Sequence, residues 1–452
     1  MIKDKLSSLE RRSIGALAGI YGLRMFGLFL ILPVLAIYAE DLNGATPMMM
    51  GIALGVYGIT QAMFQIPFGL LSDKFGRKPL IIFGLLIFAF GSLVAAFSDS
   101  IAGVILGRAL QGAGAIAAVV LALTADLTRE NQRTKAMALI GMTIGVSFLA
   151  ALIAAPILEF FIGVRGLFIM TAVLAVLSIF VVWKFLPTPV QSYNLEVRAV
   201  PRNMLTLLRH PQLLRLDLSI FILHFMLTAM FVVVPVILLD QLGLATQDHW
   251  RVYVPSLLIS IAFMVPMIIL SGRKNWTVRV FLSAICILML AQCLLMWRPL
   301  GVLGMTVCLF FFFWGFNLLE AMLPSLVSRL APAATRGSAM GVYNTFQFMG
   351  VFFGGFVGGT LYGLLGVNAV FATCGVLLLA WAFLIYTAPP FRLLESLVIK
   401  LDGADVRQIT EQLMSVKGVE EVILLEAEST AYLKVEKEVL DVMALEEIVG
   451  AY

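Results

Sequence analysis

Gly69-Leu70-Leu71-Ser72-Asp73-Lys74-Phe75-Gly76-Arg77-Lys78-Pro79-Leu80 is a short charged corner between two long apolar runs. Its residues suit a tight connection between two helices. Asp73 and Arg77 stand four apart, the spacing at which helical side chains of opposite charge meet. Gly76 admits a sharp turn, and Gly69 lets a neighbouring helix come close. Outward from this corner the chain is apolar in both directions. Of its 452 residues 61% are hydrophobic and 13% charged, with a mean hydropathy of +1.00. Soluble domains are roughly half apolar and about a quarter charged, so an ordinary soluble enzyme is excluded. The apolar runs approach the ~20 residues that a helix needs to cross a bilayer. The short alternating segments of a membrane barrel are missing. The bilayer is therefore the first partner of the chain.

Twelve spans are expected, at 14–39, 47–71, 79–97, 100–126, 133–160, 166–187, 216–240, 251–271, 278–297, 300–329, 336–364 and 367–388. One set of loops carries Lys3, Lys5, Arg11, Arg12, Lys74, Arg77, Lys78, Arg129, Arg133, Lys135, Lys184, Arg198, Arg202, Arg209, Arg215, Arg273, Lys274, Arg279, Arg329, Arg336 and Arg392. The opposite loops carry only Arg165, Arg251 and Arg298. The positive-inside rule places the rich side, and with it both termini, in the cytoplasm. A polar stretch over 188–215 divides the spans six and six. Pro33 and Pro235 sit 202 residues apart, and Arg133 and Arg336, like Ala136-Met137 and Ala339-Met340, sit 203 apart. A constant offset suggests two related bundles, the layout of many secondary transporters with a site at the midplane.

The opening corner matches the pattern G-x-L-a-D-r-x-G-r-k at Gly69, Leu71, Asp73, Gly76, Arg77 and Lys78. It thereby resembles the signature of the major facilitator superfamily. The resemblance implies an all-α polytopic membrane protein with twelve transmembrane helices in two six-helix bundles. It adds Asp126, at the end of span four, to an Asp73–Arg77–Asp126 cluster that latches the bundles when the site faces outward. The equivalent second-half stretch, Ser271-Gly272-Arg273-Lys274, lacks the acid, so the latch is asymmetric. Span four, from Val104 through Arg108 to Gln111, Gly112 and Gly114, is similar to a second motif of the family, whose arginine is tied to proton transfer in proton-coupled members. Gly27 to Pro33 in span one resembles a pattern shared by twelve-span drug:proton antiporters. Span five departs from the antiporter motif. Gly145, Ser147, Ala150, Ala151, Ala154 and Pro156 supply small residues and a proline, but no Gly-Pro pair. They read as a close-packed helix face.

The residues inside the spans narrow the chemistry. A charge within the bilayer is costly and faces a cavity or a partner. Arg24 and Arg108 are two such cations, and Glu320 reads as the acid deep in a second-half span. Glu320 is the leading proton carrier, because a carboxyl without a countercharge is costly to ionise. His224 also titrates near neutrality when exposed. Tyr57, Gln61 and Gln65 recur every four residues on one face of span two. With Gln111, Asn317, Tyr343, Asn344 and Gln347 they either line a substrate cavity or join helices. No cluster of acids demands a multiply cationic substrate, and no basic cluster suits phosphates or nucleic acid. No phosphate loop is present, His210, His224 and His249 are scattered, and no cofactor or metal is expected. Cys286, Cys293, Cys308 and Cys374 read as small buried residues.

The charge balance shifts near the end. Lys and Arg number 25 against 14 Asp and Glu up to Ala388, and 6 against 13 beyond it. Leu397–Ile399, a helix from an Asp405 cap to Gly418, Val422–Leu425, Ala431–Val435 and a helix over Asp441–Val449 give a β-α-β-β-α order. This looks like a small cytoplasmic α+β ferredoxin-like domain lacking its last strand. Its ~60 residues make a marginal core, and an open sheet edge invites self-association. The divisions are thus 1–187, 188–215, 216–388 and 389–452. The combined reading is a proton-coupled antiporter that exports small amphipathic molecules by alternating access, driven by protons. A nutrient symporter or facilitator, and a sensor signalling through the tail, remain as alternatives.

Overall fold

The structure, a computed structural model, describes residues 7–187, 207–273, 276–297, 301–331, 336–389, 391, 395–400, 406–425, 430–435 and 439–450. Most of the expected linker lies outside them, as do Lys3, Lys5, Arg198, Arg202, Lys274, Arg298, Arg392 and the Asp405 cap.

The first half is built from α1 (Ser8–Leu30), α2 (Leu32–Glu40), α3 (Pro47–Phe75), α4 (Arg77–Ala96), α5 (Ile101–Ala113), α6 (Ala117–Asp126) and α7 (Glu130–Phe185). The second half has α8 (Pro211–Val236), α9 (Trp250–Ser271), α10 (Thr277–Met296), α11 (Gly301–Leu330), α12 (Arg336–Leu365) and α13 (Val367–Thr387). Among the described residues eleven helical stretches are long and apolar enough to cross a membrane. One of them, Lys135–Phe185, is 51 residues long and is broken at Gly163, whose φ of 65° lies in the left-handed region. There the chain folds back. Ser147 Oγ donates to the carbonyl of Gly22 at 2.9 Å, and Thr171 Oγ1 donates to that of Gly27 at 3.1 Å. A straight helix would hold 147 and 171 ~36 Å apart, against ~7.5 Å for 22 and 27. The stretch is therefore long enough to cross twice, which gives twelve candidate spans among the described residues, the number that the sequence suggests.

The two matched prolines mark irregularities in corresponding spans. Span one is interrupted at Ile31, with Pro33 in the first turn of α2, and Pro235 is followed by a π-helical turn over Ile237–Gln241. Proline removes a backbone donor and clashes with the preceding turn, which accounts for the break at Ile31 before Pro33. Span four is also broken, between Ala113 and Ala117.

Glycine contacts set the direction of the helices. Gly51, Gly55 and Gly58 on α3 pack on Gly355, Phe352 and Phe348 of α12, so the two helices run antiparallel. Gly350, Gly354 and Gly358 pack on Phe221, Phe225 and Ala229, so α12 and α8 run parallel. The starts of α8 and α12, the end of α3 and the end of α13 consequently share one face, called here the near face. Glu10 bonds Arg129 there, Lys78 bonds the carbonyl of Leu186, and Arg215 that of Pro389. The start of α1 thus lies on the near face as well. The tight approaches between the halves lie in the far half of α3. Toward the near end of α12 a Cβ built on Gly337 or Gly341 meets no atom of the described residues within 4 Å. This is a conformation with the far gate closed.

Cys308 and Cys374 are buried as expected, but Cys286 and Cys293 are exposed on the outer surface of α10. A thiol is small and apolar enough to face lipid as readily as core.

Beyond Phe391 come β1 (Glu395–Lys400), α14 (Val406–Ser415), β2 (Val419–Leu425), β3 (Thr430–Val435) and α15 (Val442–Gly450). The strands form an antiparallel sheet in the order β1-β3-β2. Leu413, Val416, Val419, Ala431, Leu433, Val435 and Leu445 are its buried core. The element order is the one read from the sequence, and β1 and β2 each begin a few residues earlier than expected.

Candidate transport site and gates

At the near-face corner α3 ends at Phe75, Gly76 turns with a φ of 93°, and α4 starts at Arg77. Asp73 and Arg77 thus pair across a bend rather than along one helix. Arg77 Nη1 lies 2.5 Å from Asp73 Oδ1 and Nε 3.1 Å from Asp126 Oδ2. Nη1 also donates to Ser72 Oγ at 2.5 Å, and Ser72 Oγ to the Gly69 carbonyl at 2.6 Å. A planar fork with five N–H donors suits three acceptors at once. Gly69 contributes its carbonyl, not a close helix approach, since a Cβ there would meet only Ala118 at 3.9 Å. Every partner in this cluster belongs to the first half, so in this conformation it braces one bundle and does not span two.

The corner has a neighbour that sequence reasoning missed. Glu10 is buried and accepts Arg129 Nε at 2.9 Å and Nη2 at 2.8 Å. Glu10 also completes a capping box with Ser7. Hydrogen bonds that it donates to the Glu10 carboxylate hold the Arg129 guanidinium above its usual range. The Ser7-x-x-Glu10 spacing was the available signal.

Both membrane arginines lie in the first half, away from any acid among the described residues. Arg108 Nε donates to the carbonyl of Ala53 at 3.2 Å, Nη2 to that of Leu54 at 3.3 Å and Nη1 to Gln111 Oε1 at 2.9 Å. Gln111 Nε2 donates in turn to Ser92 Oγ at 2.8 Å. The Arg108 guanidinium lies over the Tyr57 ring at 5.3 Å. All three nitrogens are bonded to protein, and the carbonyls they hold lie beside Gly51 and Gly55, at the far gate. In this conformation Arg108 positions the gate helix. Arg24 Nη2 donates to Gln61 Oε1 at 2.8 Å and to the Gly114 carbonyl at 3.0 Å, where span four is broken.

Tyr57, Gln61, Gln65 and Gln111 are all buried, Tyr57 at a contact with Phe348 of the second half. They do not line an open cavity in this conformation. Gly112 fits against Thr60 and Tyr57, and Gly114 against Gly84. Gly145 faces open space instead of a helix. The packed face of span five runs through Ser147, Ala151 and Ala155, one step round the helix, and Pro156 sits inside α7.

In the second half three predicted residues from three helices converge. His224 Nδ1 lies 3.9 Å from Glu320 Oε2, and His224 Nε2 lies 2.8 Å from Gln347 Nε2. Neither His224 Nδ1 nor Glu320 Oε2 has a hydrogen-bond partner among the described residues. The Glu320 side chain is 36% exposed, while its Oε2 is buried. Asn317 Nδ2 donates to Ser260 Oγ at 3.0 Å. Tyr343 is buried and sits within electrostatic range of Glu320 and of Asp217, and Asn344 is half-buried one residue on. Asp217 is a second buried acid in this half. It lies in the first turns of α8, and sequence reasoning missed it.

Residues 17–355 match the Major Facilitator Superfamily among known protein families. The chain belongs to the major facilitator superfamily. It is a multi-pass membrane transporter of that superfamily, which is a family of transporters and not of enzymes. Over 448 residues it is 41% identical to the inner membrane transport protein YajR of Escherichia coli (strain K12), covering 98% of each chain. It is 27% identical over 345 residues to the multidrug resistance protein MdtH of Aeromonas hydrophila, covering 74% of this chain and 82% of that one. Among solved structures it resembles a bacterial homologue of the human lysosomal transporter Spinster. The TM-score is 0.70 at 13% identity, over 84% of this chain and 97% of that one. The superfamily fold accounts for the paired bundles and for the charged corner with which the sequence reading began.

Proposed function

We propose that the protein is a proton-coupled antiporter of a bacterial inner membrane that exports small amphipathic molecules by alternating access. The observation that carries this reading is the Glu320–His224 pair. A carboxyl and an imidazole stand 3.9 Å apart inside the spans, with the facing atoms otherwise unbonded among the described residues. Such a pair binds a proton in one conformation and releases it in another when its access to water changes. Gln347 fixes the imidazole from the opposite side. The near face is the cytoplasmic one on this reading, because it bears most of the Lys and Arg. The Asp73–Arg77–Asp126 corner engages the second half when the near side closes. The tail, with three strands among its described residues, is a ferredoxin-like unit available for self-association along an outer strand.

The test is flux of a panel of lipophilic dyes in proteoliposomes under an imposed pH gradient, with wild type and Glu320→Gln side by side. Wild type drives dyes against their gradient, and Glu320→Gln keeps passive exchange while losing the coupling. Coupling that survives the substitution refutes the assignment.

A further inference from the structure

We propose that Arg24, Gln61 and Gln65 form an occluded binding site for a carboxylate, the anionic end of an amphipathic cargo. The starting point is a difference between two arginines of the same half. Arg108 has a protein acceptor for each of its three nitrogens. Arg24 has acceptors for Nη2 alone. Its Nε and Nη1 are buried without a hydrogen-bond partner among the described residues, on a residue only 1% exposed. No carboxylate among the described residues pairs with it. A buried cation with spare donors and no countercharge is a costly arrangement, and stable proteins rarely retain one without a use.

The surroundings repeat the pattern. Gln61 gives its oxygen to Arg24 and leaves Nε2 unbonded, and Gln65, one turn further along α3, has neither amide atom bonded. Both glutamines are fully buried. The Tyr21 and Tyr57 phenols stand within electrostatic range of Arg24. The unmet capacity is thus mainly donor capacity, next to a positive charge, which suits an oxyanion. Planar donors on a guanidinium favour a planar carboxylate. The apolar remainder of an amphipath has neighbours to match: the Phe88 ring lies 5.2 Å from the Arg24 guanidinium. Entry is tied to the transport cycle. Tyr57 precedes Gln61 by one turn and packs edge-on against Phe348 of the second half at 5.9 Å. Parting of the halves at this contact frees the ring beside the site.

Only the assignment of the anion as cargo rests on the antiporter reading. Binding itself is measured without a gradient, so its failure is separable from failure of proton coupling. The full chain in lipid nanodiscs is titrated calorimetrically with 4-phenylbutyrate, 4-phenylbutylammonium and 4-phenylbutanol, which share a skeleton and differ in charge. Charge-assisted hydrogen bonds predict that the carboxylate binds about tenfold or more tightly than the alcohol, and the ammonium more weakly still. Arg24→Gln brings the carboxylate down to the level of the alcohol. Gln65→Leu breaks no hydrogen bond within the protein, so it folds even if Arg24→Gln does not, and it weakens the carboxylate selectively. A second titration, repeated as chloride is raised, identifies the source. Competition by millimolar chloride means that the same donors take a free inorganic anion, and absence of competition means that they select organic carboxylates. Equal affinity for the three probes in wild type, or a preference for the carboxylate that persists in both variants, overturns the proposal.

Discussion

Replacing Gly55 by alanine should open the far gate. A Cβ at Gly55 would lie 2.8 Å from the carbonyl oxygen of Phe352, and 2.9 Å from Phe352 Cα and the Val351 carbonyl oxygen. All three are backbone atoms, so no side chain can rotate away. Ordinary contact begins at 3.4 Å, and α3 and α12 must therefore separate by about 0.6 Å along this contact. Overpacking of this kind costs about 1–3 kcal/mol. The strain exists only where the two helices touch, that is, with the far gate closed. The equilibrium should consequently move toward the far-open state by about 5- to 150-fold. Spin labels at Asn43, before α3, and at exposed Leu364, at the end of α12, report the far-face distance by double electron–electron resonance. Cys286 and Cys293 are first changed to serine, because both are exposed. The longer-distance population should grow in Gly55→Ala. Gly341→Ala, on the same α12 but with nothing within 4 Å, should leave the distribution unchanged. Identical distributions in Gly55→Ala and wild type would refute the assignment of this contact as a gate.

Two further outcomes follow from the packing. Arg77→Ala leaves Asp73 and Asp126 facing a vacated cation, and should lower the unfolding temperature by an amount corresponding to about 1–3 kcal/mol. Arg77→Lys should restore less than half of this, since one ammonium cannot serve three acceptors in the plane of a fork. An unfolding temperature unchanged in Arg77→Ala speaks against the brace. In detergent, N-ethylmaleimide should modify Cys286 and Cys293 in the folded protein and reach Cys308 and Cys374 only after denaturation, as read by mass spectrometry of the peptides.

The long apolar runs, the charged corner and the loop asymmetry were legible because each depends on residues close in sequence. Span length, helix punctuation and the count of basic residues per loop need no knowledge of the partner. The Gly163 turn was legible in the same way, as a gap between spans five and six. Gly145 and Gly69 show the limit. Both were read as points of close helix packing and neither is one, because which face of a helix meets a neighbour is a matter of rotation, set by packing elsewhere. Asp217 and Glu10 were missed for a related reason. An acid near the end of a span is ordinarily solvated, and only the neighbours that bury it make it consequential.

The same division holds for the chemistry. The sequence by itself determined that charges at Arg24, Arg108, His224 and Glu320 would be buried in a bilayer, because no polar segment of the chain is near enough along the backbone to carry them out. It could not say which of them would meet. The tertiary structure decided that Glu320 and His224 face each other from α11 and α8. It decided as well that Arg108 is spent on the carbonyls of α3, while Arg24 keeps two nitrogens unbonded. Hydrogen-bond partners across helices depend on distances of a few tenths of an ångström between segments far apart in the chain, and only the packed bundle fixes those.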